Sequence, residues 1–376
     1  MDNIITYAQK ELSDFTQKEF NGVDSLILSC LSYINFPTNI EQVTSWEGIR
    51  IADLYLAEYF EEMFNKLWSE QESLQLFAAV CASPRFRNVK AMGYTNQFDS
   101  TKEKQFCAIT FKLTDSLYYI AFRGTDSSLT GWKEDFNMAF SYPVPAQLEA
   151  VSYLFKASLK CDGTLLVGGH SKGGNLAVYS AMNCDMVIQR RLKRIYSHDG
   201  PGFVQSVLDS SCFNIIKPKI DKTLPQSSIV GMLLEHQEDF KVVKSNRSSI
   251  WQHDPFSWEV KDGDFNYIKK LSADARYFDQ TLNTWIRSMS EDDRERFVDS
   301  LYQILSTVFP DSSSVLPSDW QHKLPAIIQA ATHLNDDTKK FLNRTIKELI
   351  LLGIRNVPEI FKTEESRYHV IKKLSQ

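Results

Sequence analysis

The sequence predicts an α/β protein: a mostly parallel sheet flanked by helices, with an additional C-terminal helical region. Three observations carry this. Short apolar runs alternate with helix-like segments through residues 105–258, the pattern of parallel strands joined by crossover helices. The run Leu165–Val167 is apolar and followed by glycines, as a buried central strand is. From about Asp262 the strands give way to long segments with apolar residues at helical spacing. Residues 1–261 are therefore expected to form the sheet domain with a helical N-terminal segment, and residues 262–376 a helical region.

Residues 1–75 read as helical. Phe20, Val23, Leu26, Ile27, Cys30 and Leu31 recur at helical spacing, as do apolar residues in Ala52–Leu67, and Asn35–Ile40 with Pro37 breaks the two. Asn88–Tyr94 and Gln105–Leu113 read as strands around a polar loop at Asn96–Lys104. Ser116–Arg123 is a third strand, closed by Gly124. Helices follow at Leu129–Phe140 and Pro145–Leu159, then the central strand Thr164–Gly169 and a helix over Asn175–Arg190. Arg194–Ser197 reads as a strand, Ser227–His236 as a helix and Phe240–Lys244 as the last strand, with a loop over Ser245–Trp258. Beyond it come helices at Ala273–Met289, Glu291–Val308, Leu324–His333 and Thr338–Leu352. Ser290 and Asp293 suit a capping box for the second, and Pro310–Pro317 reads as a loop.

Composition narrows the function classes. The 376 residues are 43% apolar and 24% charged, ordinary for a soluble globular chain. A formal charge of −5 gives no basic footprint, so no nucleic-acid partner is expected. No apolar run reaches transmembrane length, and the first residues show no basic stretch followed by an apolar one, so neither a span nor a secretory leader is expected. The six cysteines are scattered without C-x-x-C spacing, which points to free thiols in a reducing cytoplasm and to no metal site or cofactor. No internal repeat is present, and the sequence leaves the oligomeric state open.

The chemistry lies at the end of the central strand. Gly169-His170-Ser171-Lys172-Gly173 spells G-x-S-x-G between strand-like and helix-like text. In that context the serine occupies a strained strand-to-helix turn that lifts its hydroxyl clear of the sheet. Small neighbours are needed because a side chain at either flanking glycine collides with the turn. The helix N-terminus below the serine favours a developing anion.

A serine hydroxyl becomes nucleophilic when a base takes its proton, and a carboxylate usually orients that base. In α/β-hydrolases the chain order is Ser, acid, His. Downstream of Ser171 stand His198, His236, His253, His322, His333 and His369. His253 is the expected base, because it lies just past the last predicted strand. Asp199 is the expected acid: it directly follows the strand after the nucleophile helix, which resembles the arrangement of pancreatic-type lipases, where the acid has that place, and it precedes the turn Gly200-Pro201-Gly202. Glu235, Glu238 and Asp239 are the reserves, being near the later strand. The oxyanion hole is expected from the backbone N–H of Lys172, the residue after the nucleophile, and from Thr125 at the end of an earlier strand.

Two segments carry a family resemblance. Ala121-Phe122-Arg123-Gly124-Thr125-Asp126, with Trp132 and Asp135 beyond it, resembles the oxyanion segment of the class 3 (fungal-type) lipases. Gly169–Ala177 resembles their elbow, with Lys172 in place of the usual leucine. Those lipases place the acid after a later strand, where this chain has Ser228. A closer likeness is to a bacterial hydrolase-like group of unknown function, the Mbeg-like proteins. Its pattern resembles Phe122–Asp126, Gly169–Ala177, Asp199–Phe203, Pro225–Leu233 and Gln252–Trp258. The resemblance implies an α/β-hydrolase fold, ester or acyl hydrolysis of a small molecule through Ser171, and no narrower substrate. The alternatives are acyl transfer to an acceptor other than water, or a non-catalytic binding protein on the same fold.

Overall fold

The computed structural model describes residues 2–99, 101, 104–125, 129–138, 142–235, 237–308 and 324–360. The expected residues His236, His322, His369 and Asp126, and the loop at 310–317, lie outside them.

The chain opens with helices α1 (Ile4–Lys10), α2 (Gly22–Leu31) and α3 (Glu41–Thr44), strand β1 (Ile49–Arg50), and helices α4 (Phe60–Phe64) and α5 (Glu70–Ala82). Three antiparallel strands follow: β2 (Lys90–Asp99), β3 (Lys104–Thr114) and β4 (Leu117–Phe122). Next come α6 (Leu129–Asn137), α7 (Pro145–Lys160), β5 (Thr164–His170), α8 (Lys172–Asn183), α9 (Met186–Arg191) and β6 (Leu192–His198). Helices α10 (Gln205–Leu208) and α11 (Ser211–Ile216) lead to β7 (Ile220–Pro225) and β8 (Phe240–Val243). The short strands β9 (Val260–Lys261), β10 (Asp264–Phe265) and β11 (Tyr267–Ile268) precede helices α12 (Ala273–Ser288), α13 (Glu291–Val308), α14 (Leu324–Thr332) and α15 (Asp336–Ile360).

The main sheet has the order β1-β2-β3-β4-β5-β6-β7-β8-β11. Its middle strands β4 to β8 run parallel, as the strand–helix alternation predicts. Side chains alternate between two cores. On β4, Tyr119 and Ala121 enter the core under α1, α2 and α5, while Tyr118, Ile120 and Phe122 enter the core under α7 and α8. The buried pair Asp24–Arg85, 2.6 Å apart, ties α2 to the loop after α5. Helix α12 seats on the last strands: Leu271 and Ala275 pack with Leu224, Met232 and Val242. Helices α13 to α15 gather a small core of their own around Ile304, Leu334 and Phe341. Among the described residues, no helix is long and apolar enough to cross a membrane.

Several elements differ from the sequence reading. Strand β7 is absent from it, because Ile220-Asp221-Lys222-Thr223-Leu224-Pro225 carries two charges in six residues. Lys222 is nonetheless buried, and Glu238 accepts from it at 3.0 Å. Ser227–His236 is not an α-helix over its described residues: only Val230–Met232 makes a helical turn, of the tighter 3₁₀ kind. Its polar groups bond to distant partners instead, Ser227 N–H to Gln252 and Ser228 Oγ to Asp199. The apolar stretch Ala52–Leu67 breaks into short helical turns rather than one helix. The polar loop read at Asn96–Lys104 is narrower, since β2 continues to Asp99 and β3 begins at Lys104.

Candidate active site

Strand β5 ends at His170 and α8 begins at Lys172, which leaves Ser171 alone in the turn. Its φ of 59° and ψ of −133° lie in a region that side chains rarely adopt, a strain of roughly 1–3 kcal/mol. The turn is held by Ser171 N–H donating to His198 O at 2.9 Å and Gly174 N–H donating to Ser171 O at 2.9 Å. The glycines have no room for a side chain: a methyl on Gly173 would lie 2.1 Å from Phe122 O, and one on Gly169 2.3 Å from Gly173 C. Ser171 is 9% exposed. Among the described residues its hydroxyl makes no hydrogen bond with another side chain.

His253 and Asp199 meet beside it. His253 Nδ1 lies 2.6 Å from Asp199 Oδ2, so the ring donates through Nδ1–H and leaves Nε2 as an acceptor. Asp199 is fully buried, with a left-handed φ of 50°. Its other oxygen, Oδ1, accepts from Ser228 Oγ at 2.5 Å and from Gly231 N–H at 3.1 Å. The residue at the lipase acid position thus holds the carboxylate that sits one strand earlier. Glycine is needed at 231, because a methyl there would lie 2.4 Å from Asp199 Oδ1. Of the reserve carboxylates, Glu238 pairs with Lys222 and Glu235 with Arg287; Asp239 is exposed. His333 is exposed, just past the end of α14.

The remaining motif residues position these three. Asn175 on α8 donates to Pro201 O at 3.2 Å and Gly202 O at 2.9 Å, and accepts from Gln147 of α7 at 2.9 Å. That fixes the turn carrying Asp199. Gln252 accepts from Ser227 N–H and donates to Arg247 O, while Trp258 Nε1 donates to Gln252 O at 2.8 Å. Together they shape the loop carrying His253. The His170 ring packs against that of His253, tilted by 33° with centroids 4.6 Å apart. Its Nε2 lies 2.8 Å from His253 O, and a carbonyl only accepts, so Nε2 carries the proton. Nδ1 then accepts from the Tyr33 hydroxyl at 3.2 Å. Burial, reinforced by the neighbouring His253, holds His170 neutral, well below the usual histidine range. Asn175, Gln252 and Tyr33 carry no chemical signature of their own, and sequence reasoning assigned them no role.

His198, behind the site, offers a pH test. It is fully buried, bonds to Ser25 Oγ at 2.9 Å, and burial drives its pKa down to about 3. The unfolded chain binds a proton here below about 6.5 and the folded chain does not, so this stability is present above pH 6.5 and is lost as pH falls toward 3. Unfolding free energies between pH 6 and 4 should lose up to about 1.4 kcal/mol per pH unit of their slope in His198→Gln. Asp135 opposes this trend, with burial raising its carboxyl to about 6, so the difference between the two proteins is the diagnostic quantity. Identical slopes would overturn the prediction.

On its other side Ser171 faces Gly124, where a methyl would lie 3.1 Å from Ser171 Cβ and 2.1 Å from Tyr33 Oη. Thr125 follows, and its hydroxyl donates to Asp135 Oδ2 on α6. Lys172 is buried with its side chain engaged, while its backbone begins α8 directly under the serine. The structure therefore gathers Ser171, His253, Asp199, Thr125 and Lys172 at the carboxyl edge of the parallel strands. Two cavities, of about 640 and 460 Å³, lie elsewhere: one beside Gly163, Thr164 and Arg191, the other between α1 and α5. Among the described residues, no group of three or more His, Cys, Asp or Glu is gathered to hold a metal ion.

A family model described as Mbeg1-like matches residues 80–303, more than half of the chain. The chain belongs to the Mbeg1-like family. Among solved structures, this Mbeg1-like chain is similar to a deletion mutant of the Rhizomucor miehei lipase propeptide complex, at 15% identity, over 72% of each chain, with a TM-score of 0.38. It is also similar to a lipase from Rhizopus microsporus var. chinensis, at 16% identity, over 65% of this chain and 90% of that one, with a TM-score of 0.35. No curated protein matches the Mbeg1-like chain.

Proposed function

We propose that this chain is a serine hydrolase acting on a small ester or acyl substrate through Ser171, His253 and Asp199. The observation that carries the reading is the 2.6 Å contact of His253 Nδ1 with the buried Asp199, beside a serine held at positive φ. That contact directs Nε2, the proton acceptor, away from the acid. Ser171 Oγ attacks the acyl carbon as His253 Nε2 takes its proton. The proton passes to the departing alcohol, leaving an acyl-enzyme. Water then attacks with His253 again as base, which releases the acid and restores Ser171. The Lys172 N–H and Thr125 stabilise the oxyanion in both steps. Catalytic contacts tighten in the substrate complex, which accommodates a serine hydroxyl that makes no side-chain bond without substrate. The free cysteines, Cys30 and Cys107 among them buried, support a cytoplasmic setting.

The test is fluorophosphonate labelling followed by peptide mass analysis. Adduct on Ser171, with hydrolysis of short p-nitrophenyl esters, is expected. Adduct elsewhere, or none, would favour a binding protein. Ser228→Ala supplies a graded check. It removes one of the donors to Asp199 and should lower kcat about tenfold, since hydrogen bonds to charged groups contribute roughly 1.5–3 kcal/mol. An unchanged kcat would show that Asp199 does not need this donor.

A further inference from the structure

Lys172 stands in the elbow itself, yet its ammonium group is fully buried. It donates to Gln105 O at 3.0 Å, to Gln105 Oε1 at 2.9 Å and to Glu134 Oε2 at 2.9 Å, so all three of its protons have acceptors. Glu134, on α6, is as deeply buried. Its Oε2 also accepts from Gln105 N–H at 3.1 Å, and its Oε1 accepts from Ala146 N–H at 2.9 Å. One ion pair thus joins the first residue of α8, the start of β3, the middle of α6 and the first turn of α7.

The neighbours of Glu134 on α6 give the pair its meaning. Asp135 holds the Thr125 hydroxyl, and Lys133 reaches outward to Asp299 on α13 at 2.9 Å. The two oxyanion donors sit on separate segments, the Lys172 N–H on α8 and Thr125 on the loop before α6. The Lys172–Glu134 pair ties α8 to α6, and the next residue of α6, Asp135, accepts from the Thr125 hydroxyl. A stability role alone does not explain it, because an apolar pair of similar volume serves a core equally well or better. What charged, multiply bonded partners add is direction.

We propose that Lys172 and Glu134 are positioning residues of the oxyanion hole, whose buried ion pair locks α6 against the start of α8 and so aims Thr125 and the Lys172 N–H at one point. The proposal rests on the hydrolase reading above. Its test uses the full-length protein, Glu134→Gln and the double variant Lys172→Met/Glu134→Gln. The double variant buries no charge and keeps an acceptor for a backbone N–H, so it folds even where the single variant, with an unpaired lysine, does not.

Both variants should lose about 10- to 100-fold in kcat with KM within about twofold, less than the 10²–10³-fold lost when an oxyanion donor is removed outright. The inhibition constant of a trifluoromethyl ketone ester analogue, whose hemiketal oxygen occupies the oxyanion hole, should weaken in proportion. The melting temperature of the double variant should stay close to that of the wild type. A folded double variant with unchanged kcat and unchanged ketone affinity would overturn the proposal and leave a purely structural pair. A wild-type protein that neither hydrolyses esters nor takes a fluorophosphonate at Ser171 would overturn the hydrolase reading, and this inference with it.

Discussion

Ser171→Ala should reduce ester hydrolysis by on the order of 10⁶-fold, the scale seen when a triad nucleophile is removed. Alanine lacks the attacking oxygen, and no other hydroxyl occupies the turn between β5 and α8. The strained backbone is indifferent to the change, since Ala and Ser meet the same steric cost at a φ of 59°. Ser171 is held by its backbone, through His198 O and Gly174 N–H, and these bonds survive. The melting temperature should therefore move little. Substrate should still bind, measurable as retained affinity for a slowly hydrolysed ester. Turnover within tenfold of wild type would remove Ser171 from the chemistry.

Asp199→Asn should reduce kcat by about 10⁴-fold, through the tautomer of His253 rather than through packing. The site decides which way the amide points. Ser228 Oγ–H and Gly231 N–H both donate to the Oδ1 position, so the amide oxygen takes that place. The amide NH₂ then faces His253 Nδ1 and donates to it. His253 must carry its proton on Nε2, the nitrogen that would accept the proton of Ser171. Geometry is preserved and the base is blocked. Purified Asp199→Asn should fold with a near-native near-ultraviolet spectrum and show the loss in single-turnover rates. A loss below tenfold would mean that another carboxylate orients the base.

The sheet was legible where strands are apolar and bounded by glycine, as at Leu165–Val167 and Leu117–Phe122. It was illegible at β7, where Lys222 is made compatible with burial by Glu238, sixteen residues away. The same long-range pairing explains Glu238 itself. As a lone carboxylate near a late strand it reads as a reserve acid, and only its partner shows that it is occupied. That Ser171, His253 and Asp199 would lie together as a candidate site was legible because each comes after a strand, and strand ends of a parallel sheet share one edge. The helix expected at Ser227–His236 fails for a related reason. Ser227 and Ser228 satisfy Gln252 and Asp199 rather than their own helix, and local periodicity carries no trace of those partners. Lys172 is the sharpest case. A charge beside Ser171 reads as a departure from the lipase pattern until Glu134 and Gln105 are seen around it.

Helix α2 sets a boundary for anyone trimming this protein. The family match begins at residue 80, which invites a fragment starting there. Such a fragment would lack Ser25, the partner of His198, and Ser29, which with Ser25 meets the Tyr119 hydroxyl. It would also lack Tyr33, the donor to His170. One face of the sheet would be stripped to water beneath the edge that carries the candidate site. The shortest fragment worth expressing therefore begins upstream of residue 3, the asparagine whose side chain caps α1 and donates to Phe256 O in the loop that carries His253.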